Sequence, residues 1–206
     1  MTPSLVVLAV VLGTALASMP IFALLRAGVG PDPLNAAGLG FGLLSGVLIG
    51  LGQLEAGGWA IALAGVCDVL DGRLARARGL ASPYGKFVDA TLDRFVETFA
   101  FLGFAAYFAE WRFGPLVVAA GLGFSLLVSY AQARGETVGV SGSGGLMQRG
   151  ERLTLQILGC LLDPVLSRAL GRPEGTLLFW ILVVIAVGAF ATAVHRTLWI
   201  GRRLRG

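Results

Sequence analysis

Residues 68–93 read DVLDGRLARARGLASPYGKFVDATLD and join the ends of two otherwise apolar segments. Asp68, Asp71, Gly72, Ala75 and Arg76 fall at i, i+3, i+4, i+7 and i+8, the spacing of one helical face. Gly85, Asp89 and Asp93 follow at i, i+4 and i+8, again on one face. Between them, Gly79 to Pro83 carries the residues of a turn. The stretch therefore predicts an antiparallel helical hairpin that gathers its aspartates at one end.

The rest of the chain is far poorer in charge. Of 206 residues, 56% are hydrophobic and only 14% are charged, and there are 31 glycines. A soluble domain carries about 25% charge, and the mean hydropathy here is +0.81. Such a composition excludes a soluble globular enzyme, a disordered chain and an ordinary secreted domain. The length allows about six spans of roughly 20 residues and leaves no room for a second, soluble domain. Six apolar runs meet that expectation: Leu34 to Leu54, Gly57 to about Leu74, Phe87 to Ala109, Pro115 to about Ala133, Leu153 to Leu170, and Thr176 to about Ile200. A further run, Leu5 to Leu25, is interrupted by Pro20 and ended by Arg26. It is either an interfacial helix, the reading favoured, or a seventh membrane-embedded helix. No basic stretch precedes it, so a cleavable signal peptide is not expected. The expected fold is thus all-α and integral to the membrane: one domain over 1–206, with an N-terminal helix and approach (1–33), a six-helix bundle (34–200) and a basic tail (201–206).

Positive charge orients the bundle. With the Arg73–Lys86 loop in the cytoplasm, 13 of the 16 basic residues fall on that side, and only Arg112, Arg168 and Arg172 on the other. The positive-inside rule favours this topology. It predicts a multi-pass protein of the cell (inner or plasma) membrane with the aspartates facing the cytoplasm. It also accounts for the net charge of +4 without a nucleic-acid partner.

Four uncompensated carboxylates at the edge of a low-dielectric bundle repel one another and must take up protons or cations. Hard oxygen donors at this density suit Mg²⁺ or Mn²⁺, and two ions bridged by shared carboxylates suit phosphoryl chemistry. Gly72, Ala75 and Gly85 leave room for a bulky ligand, and Arg76 is placed to neutralise a diphosphate. Ion pairs with Arg73, Arg76, Arg78 and Arg94 would explain one or two carboxylates at a helix end. They do not explain four on facing stripes beside small residues. A cation-coupled transporter would distribute its acids through the bilayer depth, whereas these cluster at one end of one hairpin.

The pattern resembles the CDP-alcohol phosphotransferase family, whose signature is D-x-x-D-G-x-x-A-R, eight residues, then G-x-x-x-D-x-x-x-D. Asp68, Asp71, Gly72, Ala75, Arg76, Gly85, Asp89 and Asp93 meet every specified position, and the resemblance runs from about Gly28 to the last span. It implies six transmembrane helices, commonly in a homodimer, behind an interfacial N-terminal helix. The implied reaction is attack of a small polar alcohol on the β-phosphate of a CDP-linked lipid, with release of CMP. The donor would be CDP-diacylglycerol or an archaeal CDP-ether lipid. By motif position Asp68, Asp71, Asp89 and Asp93 would be metal ligands, with Asp93 also the base. Gly72, Arg76 and Ser82 match CDP contacts, with Ala75 and Gly85 beside them, as does the stretch Pro31, Asp32, Pro33 and Leu34. Asn35 stands where the family often has Thr.

The second cytoplasmic loop resembles a subgroup that makes inositol-phosphate lipids, through Ser129, Tyr130, Arg134, Glu136, Gly145, Leu146, Arg149, Glu151 and Arg152. It implies that Arg134, Arg149 and Arg152 bind the phosphate of the acceptor, as Arg clusters do. Each also reads as an ordinary positive-inside residue. Gln132 replaces the subgroup's Lys, and Gln148 replaces an acid. Inositol phosphate is the favoured acceptor, with glycerol phosphate or an unphosphorylated alcohol as alternatives. The Gly/Ser-rich loop Gly135–Gly150 is expected to be mobile and solvated. His195 is expected at an interfacial helix end, Cys67 and Cys160 as small buried hydrophobes, and Asp163 and Glu174 as solvated loop residues on the far side.

Overall fold

The computed structural model describes residues 30–80, 82–140 and 144–205. Over these residues the protein is all-helical, with six helices and no strand. They are α1 (Pro31–Gly50), α2 (Leu54–Ala77), α3 (Pro83–Tyr107), α4 (Gly114–Thr137), α5 (Arg149–Ala169) and α6 (Thr176–Arg205). Each apolar run anticipated from Leu34 onward has its helix; the run Leu5 to Leu25 lies outside the described residues. Two boundaries move. Pro31 to Pro33 belong to the first turn of α1 rather than to an approach to it, with Pro31 at a position where a missing N–H costs nothing. Residues 201–205 continue α6 rather than forming a separate tail.

Three helices, α1, α4 and α6, are long and apolar enough to cross a membrane. The other three, α2, α3 and α5, have charged residues toward their ends. Packing is uneven. α1 lies against both α2 and α3, α4 against α6, and α5 against α2 and α6, whereas α2 and α3 scarcely meet. The hairpin is therefore not closed on itself, and α1 bridges its two arms.

Glycine makes that bridge possible. Gly38, Gly42, Gly46 and Gly50 recur every four residues along α1, a spacing that lets helix backbones approach closely. A Cβ on Gly42 would lie 2.7 Å from a Val96 methyl, and one on Gly46 would run into the carbonyl of Phe99. From the other side, a Cβ on Gly103 would lie 2.8 Å from Gly46 Cα. The hydrophobic core, built on Ile49, Ile61, Phe101, Phe104, Phe108, Leu178, Leu182 and Ile185, fills the half of the bundle away from the aspartates. Cys160 is buried within it and Cys67 is half-buried, and His195 is exposed about two-thirds of the way along α6 rather than at a helix end.

Two sequence expectations need correction here. Asp163 is not solvated: it lies within α5, fully buried. Its carboxylate accepts from Ser167 Oγ (2.9 Å), Gly175 N (2.5 Å) and Leu178 N (3.0 Å). It thus satisfies backbone donors at the start of α6 that the helix itself cannot. Glu174 is exposed and pairs with Arg168 at 2.8 Å. The loop before α5 is also less free than its composition suggests. Met147 is buried, its N–H donates to Thr192 Oγ1 of α6 (3.1 Å), and Gly145 packs on the same threonine. Residues 141–143 lie outside the described residues.

Candidate metal and phosphate site

The turn that aims the two acid-bearing helices is built from local chemistry. α2 ends in a Schellman motif. Gly79 adopts φ +67°, Leu80 N donates to Ala75 O (2.9 Å) and Gly79 N donates to Arg76 O (3.2 Å). α3 then begins with Ser82 as its N-cap, accepting from Gly85 N at 3.1 Å, and with Pro83 in its first turn. Ser82, expected to contact CDP, thus has its oxygen engaged in capping α3.

Asp68, Asp71 and Asp89 each bring one carboxylate oxygen within 4.8 Å of the others. Asp71 is only 6% exposed. These three and Asp93 line a small cavity of about 20 Å³, together with Asn35, Gly38 and Leu39 of α1 and Arg149 of α5. Asp93 stands slightly apart from the triplet and is engaged by cations. It pairs closely with Arg149 and sits 3.8 Å from Arg94, while Arg149 Nη1 also donates to Asp68 Oδ2 at 2.9 Å. Three carboxylates this close cost heavily in electrostatic energy unless a cation joins them. Their all-oxygen donor set fits Mg²⁺ or Mn²⁺.

A second, open cavity of about 640 Å³ shares Asp89, Asp93 and Arg149 with the first and adds Arg94, Ser129, Gln132, Arg152 and Arg196. Anionic and cationic walls thus meet at Asp93. Arg152, 1% exposed, directs Nε to Glu97 Oε1 (2.9 Å) and Nη1 to the carbonyl of Met147 (3.1 Å). Glu97, also buried, accepts from Arg94 Nη1 (2.8 Å), which donates in turn to Ser129 Oγ (2.5 Å). The chain from Ser129 through Arg94, Glu97, Arg152 and Met147 to Thr192 ties α4, α3, α5 and α6 together behind Asp93.

Of the arginines expected to bind an acceptor phosphate, Arg149 and Arg152 line this cavity but Arg134 does not. Arg134 is exposed along an apolar groove between α4 and α6, beside Phe124, Phe190 and Leu204. Two steps along a helix rotate a side chain by about 200°, and that carries Arg134 to the opposite side of the helix from Gln132. Arg196 takes a place in the cavity wall instead. Among the remaining expected contacts, Gly72 lies under the Arg76 guanidinium, 3.6 Å from where a Cβ would sit. Ala75 is half-buried, and Arg76 and Gly85 are exposed toward the same end of the bundle. Asp32 and Pro33 are exposed and Leu34 half-buried on the first turn of α1.

Sequence reasoning missed Asn35, Glu97 and Arg196. Glu97 carried a readable signal, since it extends the Asp89–Asp93 stripe by one further turn into an apolar run. Arg196 carried none, because a basic residue near a span end is explained equally well by topology.

A family model for CDP-alcohol phosphatidyltransferase matches residues 36–189. The phosphatidylinositol phosphate synthase of Mycobacteroides abscessus is 35% identical over 177 residues, covering 84% of this chain and 79% of that protein. The archaetidylinositol phosphate synthase of Methanothermobacter thermautotrophicus is 32% identical, over 75% of this chain and 74% of its own. Crystal structures of Mycobacterium tuberculosis phosphatidylinositol phosphate synthase superpose at 28% identity. The one with CDP-DAG bound gives a TM-score of 0.76, covering 89% of this chain and 92% of that one. The complex with manganese and citrate gives 0.78, over 90% and 88%.

Proposed function

The chain belongs to the CDP-alcohol phosphatidyltransferase family, and on that premise we propose that it transfers the phosphatidyl group of CDP-diacylglycerol to inositol phosphate, releasing CMP. One observation carries this reading: the carboxylate cavity and the arginine-lined cavity meet at Asp93. A nucleotide-lipid diphosphate on one side and a phosphorylated alcohol on the other would present their reacting atoms to the same residue.

Asp68, Asp71, Asp89 and Asp93 would hold Mg²⁺ or Mn²⁺, as a pair of ions, which would offset charge building on the diphosphate and the leaving CMP. Asp93 takes the proton from the acceptor hydroxyl as its oxygen bonds to the β-phosphorus and the bond to CMP breaks. Gly72, Ala75 and Gly85 give the nucleotide room. Arg76 pairs with its phosphates, Asp32 to Leu34 flank it at the start of α1, and Pro31 sets that turn. Arg149, Arg152 and Arg196 receive the acceptor's phosphate. Arg196, buried with no carboxylate paired to it among the described residues, favours a phosphorylated acceptor over a neutral alcohol, because a buried guanidinium left without an anion is costly. Arg134 is not part of that set. The archaeal relative keeps a CDP-ether lipid as the second reading for the donor.

In this reading all six helices cross the cell membrane, α2, α3 and α5 by pairing their charges inside the bundle. The site faces the cytoplasm, and two copies associate as a homodimer. Purified protein with Mg²⁺ or Mn²⁺ should release CMP from CDP-diacylglycerol when given inositol phosphate. Asp93→Asn should abolish release without impairing membrane insertion or folding. Near-normal turnover by that variant would remove Asp93 as the base, and product mass across inositol phosphate, glycerol phosphate, serine, inositol and choline identifies the acceptor.

A further inference from the structure

Arg196 reaches the arginine-lined cavity from α6, but α4 holds it there. Its Nη1 donates to Gln132 Oε1 at 2.8 Å and to the carbonyl of Val128 at 3.0 Å, both on α4. The residue is 4% exposed, and its Nε is buried without a hydrogen-bond partner among the described residues. A guanidinium is a rigid plane, so two acceptors on one terminal nitrogen set where its remaining donors point. Arg152 lines the same cavity, and like charges in a shared, partly desolvated site push each other apart. Something must therefore keep Arg196 directed inward.

Gln132 is itself held. Its Nε2 donates to Glu136 Oε1 at 3.2 Å, one turn along α4. With the amide nitrogen committed to a carboxylate, the amide oxygen faces Arg196. We infer that Gln132 is a positioning residue for the phosphorylated acceptor: through Nη1 of Arg196 it fixes the guanidinium that receives the acceptor's phosphate, and Glu136 fixes Gln132. The inference rests on the acceptor reading above. It assigns Gln132 no contact with the nucleotide lipid and no part in proton transfer, so its removal acts on one substrate only.

Gln132→Met keeps the length of the side chain but removes the acceptor, and the position is exposed near the end of α4, so the variant folds. The test measures CMP release by the full-length protein in detergent with Mg²⁺, varying inositol phosphate and CDP-diacylglycerol separately. Gln132→Met should raise KM for inositol phosphate about tenfold, the scale of a lost hydrogen bond to a charged group. KM for CDP-diacylglycerol and kcat should stay within about twofold. In an Arg196→Lys background the same substitution should add less than about twofold, because the two residues act as one unit. An unchanged KM for inositol phosphate in Gln132→Met overturns the inference. So does a full effect that persists in the Arg196→Lys background, which would make Gln132 a direct contact. A wild-type enzyme that uses unphosphorylated inositol as efficiently as inositol phosphate removes the acceptor reading, and the inference with it. That outcome is visible before any variant is made.

Discussion

Arg152 and Glu97 illustrate how a charge survives inside an apolar bundle. Arg152 is almost inaccessible, and its donors go to Glu97 and to the carbonyl of Met147. Glu97 also neutralises Arg94. Removing one member of such a set leaves its partners desolvated and unpaired, a larger loss than the pair's own net contribution. Glu97→Ala should therefore cost about 3 kcal/mol, read as a clear fall in melting temperature in detergent. Glu174→Ala, which breaks the exposed pair with Arg168, should stay within about 0.5 kcal/mol. Equal effects would mean that the buried network does not stabilise the bundle. At this scale the sequence was legible for the four aspartates, whose spacing declares a common helical face. It was illegible for Arg196, because a helix-end arginine looks the same whether it meets solvent or a cavity. It misled at Asp163, where a carboxylate near a predicted loop proves to be an internal cap for α6.

Among the elements, α1 has the largest consequence for the site. It carries Asn35 and Gly38 into the wall of the carboxylate cavity and packs on both acid-bearing helices, which barely touch each other. Its glycine stripe sets the distance to α3, and hence the separation of Asp68 and Asp71 from Asp89 and Asp93. Gly46→Leu should force the backbones of α1 and α3 apart, reducing both the yield of monodisperse protein and CMP release. Gly40→Leu adds the same bulk to the same helix where a Cβ meets nothing within 4 Å, and should leave both unchanged. If the two variants behaved alike, close approach at Gly46 would not be what holds the arms in place. The hairpin turn was readable in advance, since Gly79, Ser82 and Pro83 are the residues such a turn requires. The gap between its arms was not, because nothing local to residues 68–93 reports on α1.

For the whole molecule, the decisive question is which way the bundle lies in the membrane. The acids, Arg149, Arg152 and Arg196 share one end, while the aromatic core and the Asp163 cap occupy the other. Under the proposed orientation, a cysteine at Arg203 should react with a membrane-impermeant maleimide only in inverted vesicles or opened cells. A cysteine at Arg172 should react in intact cells. The opposite pattern would turn the site to the outer face. Cys67 and Cys160, half-buried and buried, give little background. Local sequence was enough for the number of helices from residue 30 onward, their approximate limits, the antiparallel acid hairpin and the end of the bundle at which its charge collects. Those properties follow from local periodicity, turn chemistry and the cost of desolvating each side chain, all of which can be summed along the chain. Packing between distant helices was needed to show that α1 bridges the hairpin, that Arg196 and not Arg134 lines the cavity with Arg149 and Arg152, and that Glu97 pairs with Arg152 behind Asp93. How far each helix is rotated about its own axis depends on close contacts between residues distant in sequence, and no local window contains that information.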